Sequence, residues 1–438
     1  MELQKKLNTT ALTMIGIGAS IGSGIFVTPS DTILRLPHYG WALLPWLLGG
    51  IAAYCGGLTF AELGATRPKA GGVYVYLKEA YGDIAGFLYG WCVLLIINTG
   101  ALAALGLAFA DYMTFFYPLT PLASKLLAIG VIGILSVINC LGVEYSDKLS
   151  RTFTGLKLLA MLAIIAAGIV AWVQNPNTMM SGWHQPTPTP LFSGLSGAFI
   201  GVFWSIGGWH HISYVSSEAI NPGRDIPRAL LIAVGVITFT YLAIIAAYMA
   251  ILPMEQIITS KKVAGDAVAH LFSGGGKLVA IFIAISIFGT IAIYTMSAPR
   301  IYYAMARDGV FFQAIGKVHS RFNTPANAIL MQAVWAILLV VAYGSFMKVI
   351  AFVTFMDIVF MSLAAASIFV FRKRYGIPSV FRVRWYPWLP LIYLIISLAF
   401  VFYTLMDLNQ GAIAGCAILM VGIGAYSLFR GQKLKLHP

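Results

Sequence analysis

Long apolar runs separated by short polar clusters dominate the chain, and run length rather than periodicity decides what they are. About 20 mostly apolar residues cross ~30 Å of hydrocarbon as a helix. Twelve stretches reach that length, at residues 11–36, 41–64, 84–112, 123–144, 153–173, 192–219, 229–252, 276–304, 326–343, 348–371, 387–406 and 410–429. The closest pairs require tight turns at Tyr343, Gly344 and Ser345, and at Asp407, Leu408, Asn409 and Gln410. Eleven spans is the nearest alternative. The first stretch follows Lys5 and Lys6 as a signal peptide would, but it is too long and carries a glycine-serine break, so it is expected to stay as a span. The longest polar segments, 174–191 and 253–275, are loop-sized, which leaves one transmembrane domain over residues 1–430 and a tail at 431–438. The expected fold class is an all-α polytopic membrane protein.

Composition removes the soluble alternatives. The chain is 59% hydrophobic and 10% charged, whereas an ordinary soluble domain is about a quarter charged. Its net charge of +13 comes from 28 lysines and arginines against 15 acids. A nucleic-acid surface would need a basic face on a soluble domain, and no segment is long and polar enough to be one. With both termini inside, 21 of the 28 basic residues fall on inner loops and six outside (Arg35, Lys125, Lys261, Lys262, Lys277 and Lys348), while Lys157 is left within a span. That inward excess predicts a multi-pass protein of the cytoplasmic membrane with cytoplasmic termini, attracted to anionic inner-leaflet lipid. Cys55, Cys92, Cys140 and Cys416 lie far apart in apolar runs and read as buried small residues, not a disulfide frame or metal site. No cofactor is expected.

Two spans are predicted to be broken. Gly16, Gly18, Gly22 and Gly24 fall within the first span, and a glycine in a helix interior costs roughly 1 kcal/mol relative to alanine. Close packing through small residues is the competing explanation, and Gly18 and Gly22 fit its spacing. The adjacent Ser23 and Gly24 at mid-membrane depth favour an unwound segment. In the sixth span Ser205-Ile206-Gly207 echoes Ser20-Ile21-Gly22. Interrupted helices opening each of two five-span halves, about 11–173 and 192–371, are what an inverted-repeat secondary transporter requires, with 387–429 as two further helices. The second half of span one would present the N–H groups of Ser23, Gly24 and Ile25 to an anion. The first half of span six would end near Trp204 and offer the carbonyls of Phe203, Trp204 and Ile206 to an ammonium. Donors opposite acceptors suit a zwitterion, of which a free amino acid is the simplest.

Several motifs carry a family resemblance. Gly22-Ser23-Gly24-Ile25-Phe26, Ala61-Glu62-Leu63-Gly64, Pro68-Lys69-Ala70-Gly71-Gly72-Val73-Tyr74, Gly208-Trp209, Asn221-Pro222-Gly223-Arg224-Asp225-Ile226-Pro227-Arg228 and Ala306-Arg307-Asp308-Gly309 occur in order over about residues 10–375. The chain resembles the amino acid–polyamine–organocation superfamily and, within it, the L-type amino acid transporters. The resemblance implies the leucine-transporter-type fold, alternating access and sodium-independent exchange of neutral L-amino acids. It puts the substrate carboxylate on Ser23 and Gly24, the ammonium on the carbonyls of Ser20, Trp204 and Gly207, and an outer gate at Trp204, where the family usually has phenylalanine; a packing or lipid-facing indole is the alternative. Ile21, Gly22, Phe203, Ser205 and Ile206 complete the expected binding segments. The eukaryotic members join a heavy subunit through a cysteine after span three, and residues 111–125 contain none, so no disulfide-linked partner is expected.

The remaining intramembrane charges are read one at a time. The resemblance gives Lys157 the place that sodium takes in ion-driven relatives, and snorkelling to the inner interface is the alternative. Glu62 and Glu218 sit at inner span ends and are expected to pair with Arg67 or Arg224. Asp357 lies mid-span, where an acid is costly and functional by default; a proton, a cationic or polar substrate side chain, or a structural partner are all open to it. His210 and His211 are expected to be cavity or packing residues. A proton-coupled symporter of the same fold is the rival function. An integral-membrane lipid enzyme is remote, because no HExxH or Cys/His spacing and no paired carboxylates one turn apart in a span occur.

Overall fold

Helices account for the apolar stretches throughout. The computed structural model describes residues 3–186, 190–260, 262–271, 274–342, 346–406 and 410–436, with side chains described outside 143–149, 346–348, 410–414 and 430–436. Among these residues eight helices are long and apolar enough to cross a membrane, and the bent pair Thr9–Ser20 and Gly24–Arg35 makes a ninth. Shorter apolar helices at Leu191–Ile206, Ala326–Ala342 and Gly415–Phe429 complete the twelve spans. The turns expected at 343–345 and 407–409 lie outside the described residues. There is no strand among the described residues, only an isolated parallel bridge between Leu7 and Ala219.

The polar side of each span turns inward because lipid offers no hydrogen-bond partners. Trp46, Tyr241 and Tyr248 are fully enclosed, whereas Leu122, Val173, Phe239, Phe402 and Leu428 point outward, as a lipid-facing belt demands. Cys55 and Cys92 are buried, but Cys140 is only partly covered and Cys416 is exposed. Cysteine is apolar enough for the outer face of a span, so its place in an apolar run did not require burial.

Span three contains a π-turn at Val93–Ile97 between the α-helices Asp83–Cys92 and Asn98–Met113. The Thr99 hydroxyl donates to the Leu94 carbonyl at 2.6 Å, satisfying an acceptor that the wide turn leaves available. The longest connections between spans carry short helices, Pro176–Ser181, Met254–Thr259 and Val263–Leu271.

One end of the bundle is held by ion pairs that differ from those expected. Glu62 pairs with Arg372 at 2.9 and 2.6 Å and also accepts from the Val383 N–H at 2.6 Å. Glu218 pairs with Arg300 at 2.8 Å, both side chains being buried. Arg67 instead meets Glu79 at 3.0 Å and lies 3.5 Å over the Phe371 ring, and Arg224 meets its neighbour Asp225 at 2.9 Å. Sequence proximity favoured Arg67 and Arg224, but tertiary packing brings spans ten and eight to these acids.

Candidate functional site

The first helix ends where expected. Its last turn closes with the Ile21 N–H donating to the Ile17 carbonyl at 2.8 Å, and Ile21 then leaves helical geometry at ψ 81°. The Gly22 N–H donates back to the Ser20 carbonyl at 2.9 Å, a three-residue turn that makes the bend. The second half starts at Gly24, and the two halves meet at 43°. Ser23, Gly24 and Ile25 precede the helix's own hydrogen-bond ladder, so their N–H groups face the break. The Ser23 hydroxyl is buried with no hydrogen-bond partner.

The second break falls later than expected. The helix Leu191–Ile206 runs past Trp204, because the Gly207 N–H donates to the Phe203 carbonyl at 2.9 Å and the Ser205 hydroxyl to the Gly201 carbonyl at 2.7 Å. The chain turns at Gly208, whose φ of +99° suits glycine, and resumes as the short helix His211–Tyr214. Of the carbonyls expected to face an ammonium, that of Phe203 is therefore occupied, while Ile206 and Gly207 lie at the helix end.

The two breaks are packed against each other. A Cβ on Gly208 would lie 2.7 Å from the Ala19 carbonyl carbon, and one on Gly24 would lie 2.8 Å from the Ser205 Cα. Gly24 thus serves close helix packing in this conformation, the competing explanation for a glycine here. The Tyr241 hydroxyl from span seven sits 2.9 Å from the Ser20 carbonyl and 3.0 Å from the Ser205 carbonyl. It has one proton and two acceptors, one on each broken span, so it ties both breaks to one side chain. Ser20 already accepts from Gly22 as well, which leaves its carbonyl engaged.

Lys157 does not snorkel. Its side chain is buried and its ammonium reaches the Ile21 carbonyl at 2.7 Å, the Gly18 carbonyl at 3.0 Å and the Thr290 hydroxyl at 3.0 Å. Three donors meet three oxygens. The Ser286 hydroxyl also donates to the Ile21 carbonyl at 3.2 Å. No carboxylate is among the hydrogen-bond partners; the charge faces the carbonyl end of the first half-helix, where the helix dipole favours a cation. Carbonyls and hydroxyls are the ligands that a hard cation takes.

A cavity of about 30 Å3 lies between spans three, six, eight and ten, lined by Asn98, Trp204, Gly207, His210, Tyr294, Thr354 and Asp357 among others. Asp357 Oδ1 stands 3.7 Å from His210 Nε2, outside hydrogen-bond distance. His211 lies 2.6 Å from the Ser297 hydroxyl, which itself donates to the Ile293 carbonyl at 2.7 Å. The structure therefore brings Trp204, Gly207 and Asp357 to one cavity and places Lys157 behind the first break, on a different side.

Sequence reasoning missed Tyr241, Thr290 and Ser286. Hydroxyls are common in spans and bond their own helix, as Ser205 does, so nothing local marked these as reaching another. Asn98 was equally hidden, since a π-turn has no sequence signature. Among the described residues no group of three or more histidines, cysteines or acids is placed to hold a metal ion.

Comparison with known proteins adds a family match and three relatives. A family model described as amino acid permease matches residues 7–425. The chain is 31% identical to the serine/threonine exchanger SteT of Bacillus subtilis (strain 168) over 97% of its length and 95% of that protein. It is 30% identical to large neutral amino acids transporter small subunit 2 of Mus musculus, over 98% of this chain and 81% of that one, and 28% identical to Asc-type amino acid transporter 1 of Mus musculus, over 100% and 83%.

Proposed function

The chain belongs to the amino acid permease family, and on that premise we propose that it exchanges neutral L-amino acids across the cytoplasmic membrane by alternating access, without sodium. The observation that carries the sodium-independent part is Lys157, whose fixed charge takes the oxygen ligands that a coupling cation would otherwise occupy at the first break. The substrate carboxylate goes to the N–H groups of Ser23 and Gly24 and to the unpartnered Ser23 hydroxyl. The ammonium goes to the carbonyls that end the helix at Ile206 and Gly207, with Trp204 as the gating aromatic. Because Gly208 touches Ala19 and Gly24 touches Ser205, binding must part the two breaks, and the Tyr241 hydroxyl shared between them is the contact to be broken first.

The halves at about 11–173 and 192–371 supply the two moving repeats. The inward excess of basic residues supports cytoplasmic termini. No cysteine occurs at 111–125, which supports function without a disulfide-linked heavy subunit. The reading assigns transport and no bond-making chemistry. Proteoliposomes loaded with unlabelled alanine, serine or leucine and diluted into sodium-free buffer should accumulate the labelled amino acid by counterflow. Flat traces for every L-amino acid overturn the reading.

A second reading, proton-coupled uptake on the same fold, is favoured by one observation: the facing pair Asp357 and His210 in a transport-depth cavity. Accumulation driven by a pH gradient into liposomes containing no amino acid separates it from exchange.

A further inference from the structure

Three oxygens in the cavity between spans three, six, eight and ten have no partner. Asn98 Oδ1, Thr354 Oγ1 and Asp357 Oδ1 are each buried and each without a hydrogen bond. They come from separate places in the chain. The π-turn at Val93–Ile97 sets Asn98 at its end, and the Asn98 amide nitrogen is turned to the Tyr294 carbonyl at 3.5 Å, which leaves the oxygen unmet. Thr354 and Asp357 stand three residues apart on one helical face of span ten. His210 Nε2 stands 3.7 Å from Asp357 Oδ1, too far to satisfy the oxygen.

Buried polar atoms in native proteins are rarely left so, and a cluster of them in one space marks a place where something else supplies the hydrogens. Two of the three can only accept, Asn98 through its carbonyl and Asp357 through its carboxylate. The missing group must therefore bring donors. It must also be small: roughly 10–15 Å3 of such space holds one water-sized group, so a cavity of about 30 Å3 takes about two. Trp204 and Gly207 form part of the same wall, so a solute whose ammonium rests at the helix end by Gly207 has its first side-chain carbon next to the cavity.

We propose that this acceptor-lined cavity is the side-chain subsite of the transporter and that it selects short side chains ending in a hydrogen-bond donor, a hydroxyl or an ammonium on the β-carbon, over hydrocarbon of the same size. The inference rests on the exchange reading above. A methyl group in this position fills the space but leaves all three oxygens dry, whereas a hydroxyl or ammonium satisfies at least one. Sites that hydrogen-bond a substrate group reject the analogue lacking it far more strongly than apolar pockets discriminate by size.

Three solutes of nearly equal shape test it: L-serine, L-2-aminobutyrate and L-2,3-diaminopropionate, assayed by sodium-free counterflow in proteoliposomes with L-alanine as the small control. Serine should exceed 2-aminobutyrate by at least roughly tenfold in initial rate over half-saturation constant. The isosteric Thr354→Val and the charge-removing Asp357→Leu should each shrink that ratio, with both rates normalised to alanine exchange measured in the same variant. Asp357→Asn, which keeps an acceptor and loses the charge, should retain serine and lose diaminopropionate. Equal handling of serine and 2-aminobutyrate by the wild-type protein overturns the subsite, as does a preference that neither Thr354→Val nor Asp357→Leu moves. Absence of counterflow with all four solutes and with leucine instead overturns the exchange reading itself.

Discussion

Replacing Lys157 by methionine keeps the approximate volume of the side chain, ends it one atom short of the ammonium position, and removes its charge and three donors. In the native protein the ammonium serves the carbonyls of Gly18 and Ile21 and the hydroxyl of Thr290, all within 3.0 Å. Thr290 Oγ1 also lies 2.9 Å from the Gly18 carbonyl and 3.0 Å from the Ile21 carbonyl. Its single proton can cover one of them, and Ser286 reaches Ile21 at 3.2 Å. The variant therefore loses three charge-assisted bonds but leaves only part of the acceptor set uncovered. With hydrogen bonds to charged groups at about 1.5–3 kcal/mol each, partly offset by these hydroxyls and by relief from burying a charge, a net loss of about 3 kcal/mol at the first break is expected. A shift of that size changes a conformational equilibrium by roughly 150-fold. Sodium-free counterflow should fall by at least an order of magnitude in protein that still elutes as a folded species. The matching test uses Lys157→Ala, which opens a space edged by the same oxygens: sodium should restore part of the rate and choline should not. Full exchange by both variants without sodium refutes the reasoning.

Two further outcomes follow from contacts at the breaks and from the Glu62–Arg372 pair. Gly208→Ala forces a side chain into φ +99° and places its Cβ 2.7 Å from Ala19 backbone, whereas Gly22→Ala meets only side-chain atoms, of Leu105 at 3.3 Å and of Thr290 at 3.4 and 3.5 Å; counterflow should be lost in the first and largely kept in the second, and equal rates would remove the close contact as a constraint. Glu62→Gln leaves the Arg372 guanidinium without its carboxylate at 2.6 and 2.9 Å and should destabilise the protein by about 3–5 kcal/mol, measured by thermal unfolding in detergent; a double change of Glu62 and Arg372 to methionine should recover much of the loss, and additive effects of the two single changes would mean the pair is not coupled.

What could be read from the sequence divides along a physical line. Span length depends on a run of neighbours, so all twelve stretches were legible, and so was the first break, where glycines crowd one segment. The sixth break was placed too early because Ser205-Ile206-Gly207 copies the letters of Ser20-Ile21-Gly22 but not their backbone. In the first span the helix stops at Ser20, whereas in the sixth the Gly207 N–H bonds to the Phe203 carbonyl, the helix runs one residue further to Ile206, and the bend waits for Gly208. Pairings were the least legible. Glu62 and Arg372 are 310 positions apart, and the nearer Arg67 was the better guess only if contacts followed sequence distance. The π-turn that delivers Asn98 is equally invisible, since Val93–Ile97 is composed like any other span segment.

The scarcity of charge nevertheless ranks the residues that matter. Inside lipid an ionised side chain persists only where protein replaces its hydration, so each buried charge must declare a partner. Glu62, Glu218, Arg300 and Arg372 do so by pairing at one end of the bundle, where they fasten spans two, six, eight and ten. Lys157 declares backbone carbonyls instead, which couples it to the bend of span one rather than to another charge. Among the acids of the described residues Asp357 alone keeps a buried oxygen with no hydrogen bond, in a cavity shared with span six. A charge that is paired holds a structure together, a charge set on a helix end biases a conformation, and a charge left unmet beside a cavity selects what enters it. On the functions proposed above, the three kinds of buried charge divide the work of the transporter into fastening one end of the bundle, setting the first break and choosing the side chain. The division predicts that substitutions at Lys157 change rate without changing substrate preference, while those at Asp357 change preference first.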